Sequence, residues 1–430
     1  MNVKSLEKYY LGTIIFILGL IIVHAPLSVF IGSKFPDYAL FVKAWKEVLM
    51  FLAAIVAVII ITKKKMWPGL LRDKLLWLVA AFVFVHIASL FLSASINEAI
   101  AGLMIDLRYI VFFVLCYVLV KMNKDWRAPL QKTALAGALI VIAFACAQVF
   151  LPHDFLKAFG YSKDTIAPYT TVDQNYDYVR LQSTLRGPNP LGAYAAAVTT
   201  IAVAVAFREK RLRNQLVVLA GIAAIVCYLS YSRSAYIAMI VGVAGVAFLN
   251  LYRYLDIRHY AIGGVILLVA GFGIFMTSGN STVSTILLHE DPAEGGMINS
   301  NDDHFDSLVD GTERMLRQPL GAGIGSTGSA SLLGNEPVII ENQYLFIAHE
   351  VGWIGLAMFA VLFTWILLRL WSRRSDAWAF GMCASGIGLA IIGLLLPVWV
   401  DDTVSVVWWG LAGAIIGSNY GRRTTNKKAA

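Results

Sequence analysis

The chain has 430 residues, of which 58% are hydrophobic and only 14% are charged, whereas soluble domains carry about 25% charged residues. This composition excludes an ordinary soluble protein and predicts one embedded in a membrane. The formal net charge of +8 would suit nucleic acid, but the basic residues lie where membrane topology places them, so we expect no nucleic-acid partner.

Apolar runs long enough to cross a bilayer, which needs roughly 20 residues, recur along the whole chain. The first follows Lys4 and Lys8 and lacks a cleavage signature, so it is expected to be a signal anchor. Twelve candidate spans lie near 11–30, 45–62, 75–93, 107–120, 133–151, 190–207, 215–231, 234–251, 260–278, 340–370, 377–399 and 403–418.

Basic clusters fall on alternate connections and on both termini, and they hold 24 of the 35 Lys and Arg residues. The positive-inside rule then places both termini in the cytoplasm. The sequence therefore predicts an all-α polytopic membrane protein of about twelve transmembrane helices. The four cysteines all lie within apolar runs at no metal-ligand spacing.

Two connections on the predicted outer side are long, and loops of this length are usually functional. They divide the chain into five regions: a five-helix membrane region (1–151), a first outer loop (152–189), a four-helix region (190–278), a second outer loop (279–339) with an amphipathic helix ending near Gln318, and a three-helix region with a basic cytoplasmic tail (340–430).

The first outer loop ends in YVRLQSTLRGPNPLGAY (178–194). Asn189 and Pro190 are typical of a helix cap and of a first helical residue. Arg180 and Arg186 precede this start, and a helix N-terminus flanked by arginines suits phosphate. The alternative is a pair of interfacial arginines that reach lipid head groups.

Arg233 lies in YLSYSRSAY (228–236), at the tip of a tight turn between two predicted spans. A charge at membrane depth usually faces the protein interior or a water-filled cavity. Two roles for Arg233 are therefore open: it binds a substrate, or it is structural and binds the carbonyl groups of the turn.

The second outer loop contains charged residues followed by a glycine-rich segment. Asp302, Asp306 and Asp310 share one helix face, which is either a solvated face or a divalent metal site. Arg314 and Arg317 lie in the last turns of the predicted amphipathic helix. Gly321, Gly323 and Gly325 then alternate in PLGAGIGSTG (319–328), where successive backbone N–H groups could form an anion nest.

The tenth span starts with IIENQYLFIAHEVGWIG (339–355), which carries Glu341 and Asn342 at its outer entrance. Helix capping would explain both residues. The alternative is that Glu341 acts as a base. Glu350 lies deeper and is expected to face a polar partner in the bundle. Asp401 and Asp402, between the last two spans, could contact sugars or could be interfacial loop charges.

Four of these segments together resemble the O-antigen ligase and O-antigen polymerase superfamily of bacterial envelope glycosyltransferases. They are RLQSTLRGPNPLGAY, SYSRSAYIAMIVG, GTERMLRQPLGAGIGS and ENQYLFIAHEVGWIG. The last resembles the family signature of His-Asn, nine residues and Gly-x-x-Gly, with Asn342 followed after nine residues by Gly352 and Gly355. The resemblance covers roughly residues 175–400.

The chain departs from the family pattern where ligases usually carry the His of this signature, because Glu341 stands there. The family assigns that His a role near the acceptor hydroxyl. The substitution leaves the superfamily resemblance in place and weakens the specific label of ligase.

The resemblance implies a GT-C-like membrane glycosyltransferase that needs neither a metal nor another cofactor. The resemblance also implies the inner (cytoplasmic) membrane of a bacterium, with the active site on its periplasmic side. The donor would be a glycan on undecaprenyl diphosphate, and the acceptor a hydroxyl of a glycan or glycolipid. Arg180 and Arg314 would stabilise the leaving diphosphate and Glu341 would be the base, which makes these three the expected catalytic residues. The expected substrate-binding residues are Arg186, Arg233, Asn342, Arg317, Gly323 and Gly325.

Two alternatives to a ligase are open, a repeat-unit polymerase of the same superfamily and a transporter or flippase of a lipid-linked glycan. A transporter should carry its polar residues near the bilayer midplane. In this chain they gather at outer helix ends and in outer loops, which favours an enzyme active on one face.

Overall fold

The computed structural model describes residues 2–172, 175–252 and 300–418. Within these ranges, nine helical segments are long and apolar enough to cross a membrane, and two further apolar helices are shorter. The protein is therefore predominantly α-helical and embedded in a membrane, as predicted. The number of spans, the GT-C-like architecture, the kind of membrane and the orientation of the termini stay predictions.

Fifteen helices and two strands are assigned in the described residues. The helices are α1 Val3–Leu20, α2 His24–Lys34, α3 Ala39–Lys63, α4 Trp67–Leu71, α5 Lys74–Ser89, α6 Ile96–Met122, α7 Arg127–Gln148, α8 Pro188–Ala206, α9 Arg213–Leu229, α10 Arg233–Leu251, α11 Ser300–Arg317, α12 Gly328–Ser331, α13 Gln343–Trp371, α14 Ala377–Ile392 and α15 Asp402–Gly417. The strands β1 Thr170–Val172 and β2 Asn175–Arg180 form an antiparallel hairpin in the first long loop.

Eleven of the twelve predicted spans coincide with apolar helices, and the ninth, at 260–278, lies outside the described residues together with the start of the second long loop and the basic tail. Several predicted boundaries differ from those of the helices, most of all the start of α6, which lies at Ile96 instead of 107. Helix α8 begins at Pro188, so Asn189 lies in its first turn and does not cap it. Helix α14 ends at Ile392 instead of 399, because the backbone turns at Gly393 and Pro397 cannot continue a helix.

Contacts among the charged connections separate the two ends of the bundle. At one end, here called the basic end, Arg127 forms a bidentate ion pair with Asp376 (2.6 and 2.8 Å), and Arg369 lies 3.4 Å from Asp73. The opposite end, here called the loop end, carries the first long connection, the described part of the second, and the first residues of α8, α13 and α15.

Helices α6 and α15 pack in parallel through small residues. A side-chain carbon placed on Gly410, Gly413 or Gly417 of α15 would lie 2.3–2.5 Å from atoms of Phe112, Phe113 or Tyr117 on α6. Small residues let membrane helices approach closely where no hydrophobic effect drives them together. This close contact brings the first residues of α15 next to the middle of α6.

Helix α13 is broken at Gly352, where φ is 69° and ψ is −172°. The residues after the break, 353–371, would span about 29 Å, close to the thickness of the hydrocarbon core. Residues 319–328, here called the glycine loop, close the break: Ala322 and Gly323 donate to the carbonyls of His349 and Glu350 at 2.6 and 3.2 Å. Irregular backbone at membrane depth persists only where such partners satisfy it.

Gly352→Ala should destabilise the protein by at least about 1–3 kcal/mol, because its backbone conformation is one that residues with a side chain rarely adopt. The added carbon would also lie 2.5 Å from the Pro319 carbonyl oxygen. Thermal unfolding in detergent measures the change. Gly12→Ala is the matched control, since Gly12 lies in a helix with open space around it, and alanine there should stabilise by up to about 1 kcal/mol. Equal unfolding temperatures for the two variants would contradict the role of Gly352.

Candidate functional site

Arg180 joins the first long loop to two helix ends at the loop end. Its Nε donates to the carbonyl of Ser230, after the last residue of α9, at 2.9 Å. Its Nη2 donates to Asn189 Oδ1, in the first turn of α8, at 2.6 Å. The guanidinium is half-buried, so the structure places a fixed positive charge beside the N-terminus of α8, where an anion is favoured.

Arg186 lies two residues before the first residue of α8, Pro188, and is exposed to solvent. Its charge acts on Asp401, the residue that caps α15 by accepting the N–H of Val404 at 2.9 Å. Burial raises the pKa of Asp401, and the neighbouring Asp402 carboxylate raises it further. The N–H of Val404 and the charges of Arg186 and Arg108 lower this pKa by less, so that the net shift is upward. The structure thus brings a predicted phosphate-binding arginine to a buried carboxyl group with a perturbed pKa, a combination typical of functional sites.

Arg233 is the first residue of α10 and is half-buried. The turn before it is strained, because Tyr231 has a φ of 49°, a conformation that costs a non-glycine residue about 1–3 kcal/mol. The ring of Tyr231 packs edge-on against Tyr178 of β2 at a centroid distance of 6.1 Å. The turn that carries Arg233 is therefore held by two contacts: Arg180 donates to the carbonyl of Ser230, and Tyr178 of the hairpin packs against Tyr231.

Arg314 and Arg317 lie on α11, where each forms an ion pair along its own helix. Arg314 Nε contacts Asp310 Oδ2 at 2.7 Å, and Arg317 pairs with Glu313. The side chain of Arg314 is 36% exposed and that of Arg317 is 76% exposed. The side chain of Asp302, part of the predicted acidic face, lies outside the described residues.

Asn342 caps α13, since its Oδ1 accepts the N–H groups of Tyr344 and Leu345 at 2.9 and 3.0 Å. Its Nδ2 donates to the Leu394 carbonyl at 2.7 Å. These contacts occupy both ends of the amide, as the capping interpretation requires. The neighbouring residue Glu341 is half-buried, and its backbone N–H donates to Ser307 of α11 at 3.1 Å.

The glycine loop directs two of its backbone N–H groups at a carboxyl group of the protein itself. Glu350 Oε1 accepts the N–H of Gly325 at 3.1 Å and that of Thr327 at 3.3 Å. Gly325 and Gly323 both have positive φ and press against backbone atoms of the α5–α6 connection and the start of α6. Glu350 therefore has the polar partner that was expected, and the N–H of Gly325 is engaged by a side chain in place of a substrate phosphate.

Below Asp401 lies a buried group of charges that sequence reasoning missed. We call it the Asp402 cluster: His24, Lys46, Glu47, Arg108 and Asp402, from α2, α3, α6 and α15. Asp402 Oδ2 lies 3.0 Å from His24 Nε2 and 3.3 Å from Lys46 Nζ, and its Oδ1 contacts Arg108. Two positive and two negative side chains balance, as buried charges must.

The hydrogen bonds fix the tautomer of His24. Trp45 Nε1, which can only donate, lies 3.0 Å from His24 Nδ1, so Nδ1 is an acceptor without a proton. A neutral ring then carries its proton on Nε2, which lies 3.0 Å from Asp402 Oδ2 and also 3.2 Å from Lys46 Nζ. His24, Lys46 and Arg108 thus hold the Asp402 carboxylate at the start of α15, and Glu47 contacts Lys46 and Arg108.

A signal for this cluster is present in the sequence. His24, Lys46 and Arg108 all lie inside predicted spans, where an ionisable residue is a functional-site candidate by default. Which of these charges meet could not be read from the sequence, because α6 and α15 lie far along the chain from α2 and α3.

An apolar cleft of about 70 Å³ runs down the bundle beside the site. Its walls come from α7, α8, α9, α14 and α15, and its lining is almost wholly apolar. On α8 it extends from Tyr194 to Val205, a length of about 17 Å. At the loop end of the bundle the cleft stops at Val404 and Leu389. Val404 links the cleft to Asp401, because its N–H donates to the Asp401 carboxyl group.

Comparison with models of known protein families gave no match, and neither did comparison with curated proteins.

Asp402→Ala should destabilise the protein by about 3–5 kcal/mol, because it leaves Lys46 and Arg108 buried with one carboxylate between them. Thermal unfolding in detergent measures the loss. Asp154→Ala is the matched control, since the side chain of Asp154 is 56% exposed and its pair with Lys157 is 3.4 Å long; it should change stability by no more than about 1 kcal/mol. An unfolding temperature for Asp402→Ala equal to that of the control would show that the cluster does not stabilise the bundle.

Proposed function

We propose that the protein is a membrane glycosyltransferase of the O-antigen ligase and polymerase superfamily, which transfers a glycan from undecaprenyl diphosphate to an acceptor hydroxyl. One observation carries this proposal: Arg180, Arg186 and Asp401 lie at the loop end of the bundle, where the apolar cleft also ends. Charged groups above an apolar cleft suit a lipid with an anionic head group and a long hydrocarbon chain.

The lining of the cleft agrees with such a donor. Its side chains are almost all apolar, so it offers no hydrogen-bonding partners to a sugar or a phosphate but suits a polyprenyl chain. Leu135, Val198 and Trp378 line it and are only half-buried, which leaves the cleft in reach of lipid from the side. The head group would then lie at the loop end, beside Arg186 and the first turn of α8.

The chemistry follows from the charges at that end. The acceptor oxygen forms a bond to the anomeric carbon while the bond from that carbon to the diphosphate oxygen breaks, and negative charge grows on the leaving diphosphate. Arg180 and Arg186 would stabilise this charge, an effect worth a few kcal/mol for each preorganised donor. Because Arg314 and Arg317 pair along α11, we assign them a supporting role at the mouth of the site.

The base that takes the proton of the acceptor hydroxyl would be a carboxylate. Glu341 is the residue that the resemblance indicates. Asp401 is favoured by the geometry, because it is buried, it lies within the field of Arg186, and its pKa is raised toward the range in which a general base is useful. Both residues lie at the loop end, and the assay below separates them.

Arg186→Ala should lower the rate of glycan transfer by about 10²–10³-fold without loss of folding, since its side chain is exposed. The assay supplies the purified protein in lipid with an undecaprenyl-diphosphate oligosaccharide and a hydroxyl acceptor. Arg211→Ala, an exposed arginine at the basic end, is the control and should keep the wild-type rate. In the same assay Asp401→Asn should lose more activity than Glu341→Gln.

The outcomes of this assay also separate the alternatives. Ladders of products would indicate a polymerase and single additions a ligase. A wild-type protein that moves the lipid-linked glycan across the membrane without transferring it would replace the proposal by a flippase. A larger loss in Glu341→Gln than in Asp401→Asn would return the role of base to Glu341.

Ala197→Phe should raise the KM for the lipid-linked donor, because Ala197 lines the cleft and a phenyl ring there would fill space that the chain needs. The KM for a water-soluble acceptor should stay the same. Ala143→Phe is the control, since Ala143 is exposed on α7 and is not part of the cleft lining. Unchanged donor kinetics in Ala197→Phe, with the protein folded, would show that the donor does not use the cleft.

A further inference from the structure

A second buried polar site lies between α5, α6 and α13, apart from the arginines and from the apolar cleft. It is a small cavity of about 10 Å³, lined by His86, Asp106, Tyr109 and Glu350 together with Gln343 and the turn at 399–400. A cavity of this size holds at most about one water molecule. The residual exposure of Asp106 is 8% and that of Glu350 is 1%, so both carboxyl groups are essentially removed from solvent.

The two carboxyl groups line this cavity together, and Asp106 is a hydrogen-bonding neighbour of Glu350. Glu350 uses Oε1 to accept the N–H groups of Gly325 and Thr327. Among the described residues, no donor lies within hydrogen-bond distance of Glu350 Oε2 or of Asp106 Oδ2. A carboxylate is an acceptor only, so two ionised carboxylates in this arrangement would repel each other and leave both oxygens without a donor.

We propose that Asp106 and Glu350 form a proton-binding site, in which a single proton lies between the two carboxyl groups. One proton supplies the missing donor, satisfies both buried oxygens and reduces the charge of the pair from two to one. Like carboxyl groups held at short distance elsewhere in proteins share a proton for the same reason. The remaining negative charge is balanced by the N–H groups of the glycine loop.

The other groups that face the pair do not supply this proton. From α5, His86 directs Nδ1 to the Phe82 carbonyl at 2.9 Å, so that its N–H is used within its own helix. From α6, Tyr109 presents its ring to Trp409 and Trp399. The guanidinium of Arg108 is turned toward Asp402 and the Val400 carbonyl.

The shared proton has a structural consequence for the loop end. Glu350 anchors the glycine loop, and that loop supplies the backbone hydrogen bonds missing at the break in α13. Loss of the proton would place two negative charges in one cavity and drive the two helices apart. The bound proton therefore keeps the glycine loop in contact with Glu350 and with the break in α13.

Infrared spectroscopy of the protein in lipid at neutral pH tests the proposal directly, through the C=O stretching band of a protonated carboxyl group and its shift in D₂O. Asp106→Asn and Glu350→Gln should each remove one carboxyl equivalent from this band, because an amide then supplies the donor and the other residue becomes ionised. The double variant should remove no more than either single variant, because only one proton is shared. Asp154→Asn, an exposed carboxylate, should leave the band unchanged.

A band unaffected by either single variant would overturn the proposal, and so would a double variant that loses twice as much as each single one. Two variants at different positions are used because each keeps shape and hydrogen-bonding capacity, so that one poorly folded variant does not decide the result.

Hydrogen exchange at Gly325 and Thr327, corrected for the intrinsic pH dependence of exchange, tests the consequence. The folded pair holds a proton that the unfolded chain releases at neutral pH, so protection of these amides should fall as the pH rises and the proton is lost. In Asp106→Asn the protection should no longer depend on pH. A wild-type protein whose protection is the same at all pH values would show that the proton does not hold the loop.

Discussion

The Asp402 carboxylate is the contact on which the packing of the loop end depends. It accepts from His24, Lys46 and Arg108, which belong to three helices that precede it by some 300 residues or more. In a lipid-facing bundle there is little water to satisfy a charge, so these side chains must satisfy one another. The position of α2 against α3, and of both against α6 and α15, follows from that requirement.

The same requirement governs the backbone. Gly352 breaks α13, and the exposed carbonyls at the break are satisfied by the glycine loop, which is itself held by the Glu350 carboxylate. A side-chain charge, a broken helix and a loop of unusual backbone geometry therefore form one unit. If this unit depends on a proton shared with Asp106, as proposed, then the protonation of the Asp106–Glu350 pair controls the position of the glycine loop that follows α11.

The two proposals concern neighbouring parts of one end of the bundle and fail independently. The transferase proposal depends on Arg186, Asp401 and the apolar cleft, which lie on the side of α8 and α15. The proton site lies on the other side of α15, between α5, α6 and α13. A protein that transfers no glycan could still share the proton, and a transferase could function with both carboxylates ionised.

The sequence alone determined the membrane class, the positions of eleven apolar helices within the described residues and the amphipathic helix that ends at Arg317. These features are local, since they depend on runs of apolar residues and on periodicity within one segment. It also indicated Arg180 beside a helix N-terminus and Asn342 as a cap, because capping chemistry is set by neighbours along the chain.

Tertiary structure alone decided which distant charges meet. The sequence shows His24, Lys46, Arg108 and Asp402 as separate ionisable residues, and only helix packing joins them. It shows a glycine-rich loop that could bind an anion, and only the fold reveals that the carboxyl group of Glu350 accepts its N–H groups. The physical reason is that a buried charge or an irregular backbone segment is satisfied by whatever lies nearest in space, and neighbours in space are set by helix packing, which no local pattern encodes.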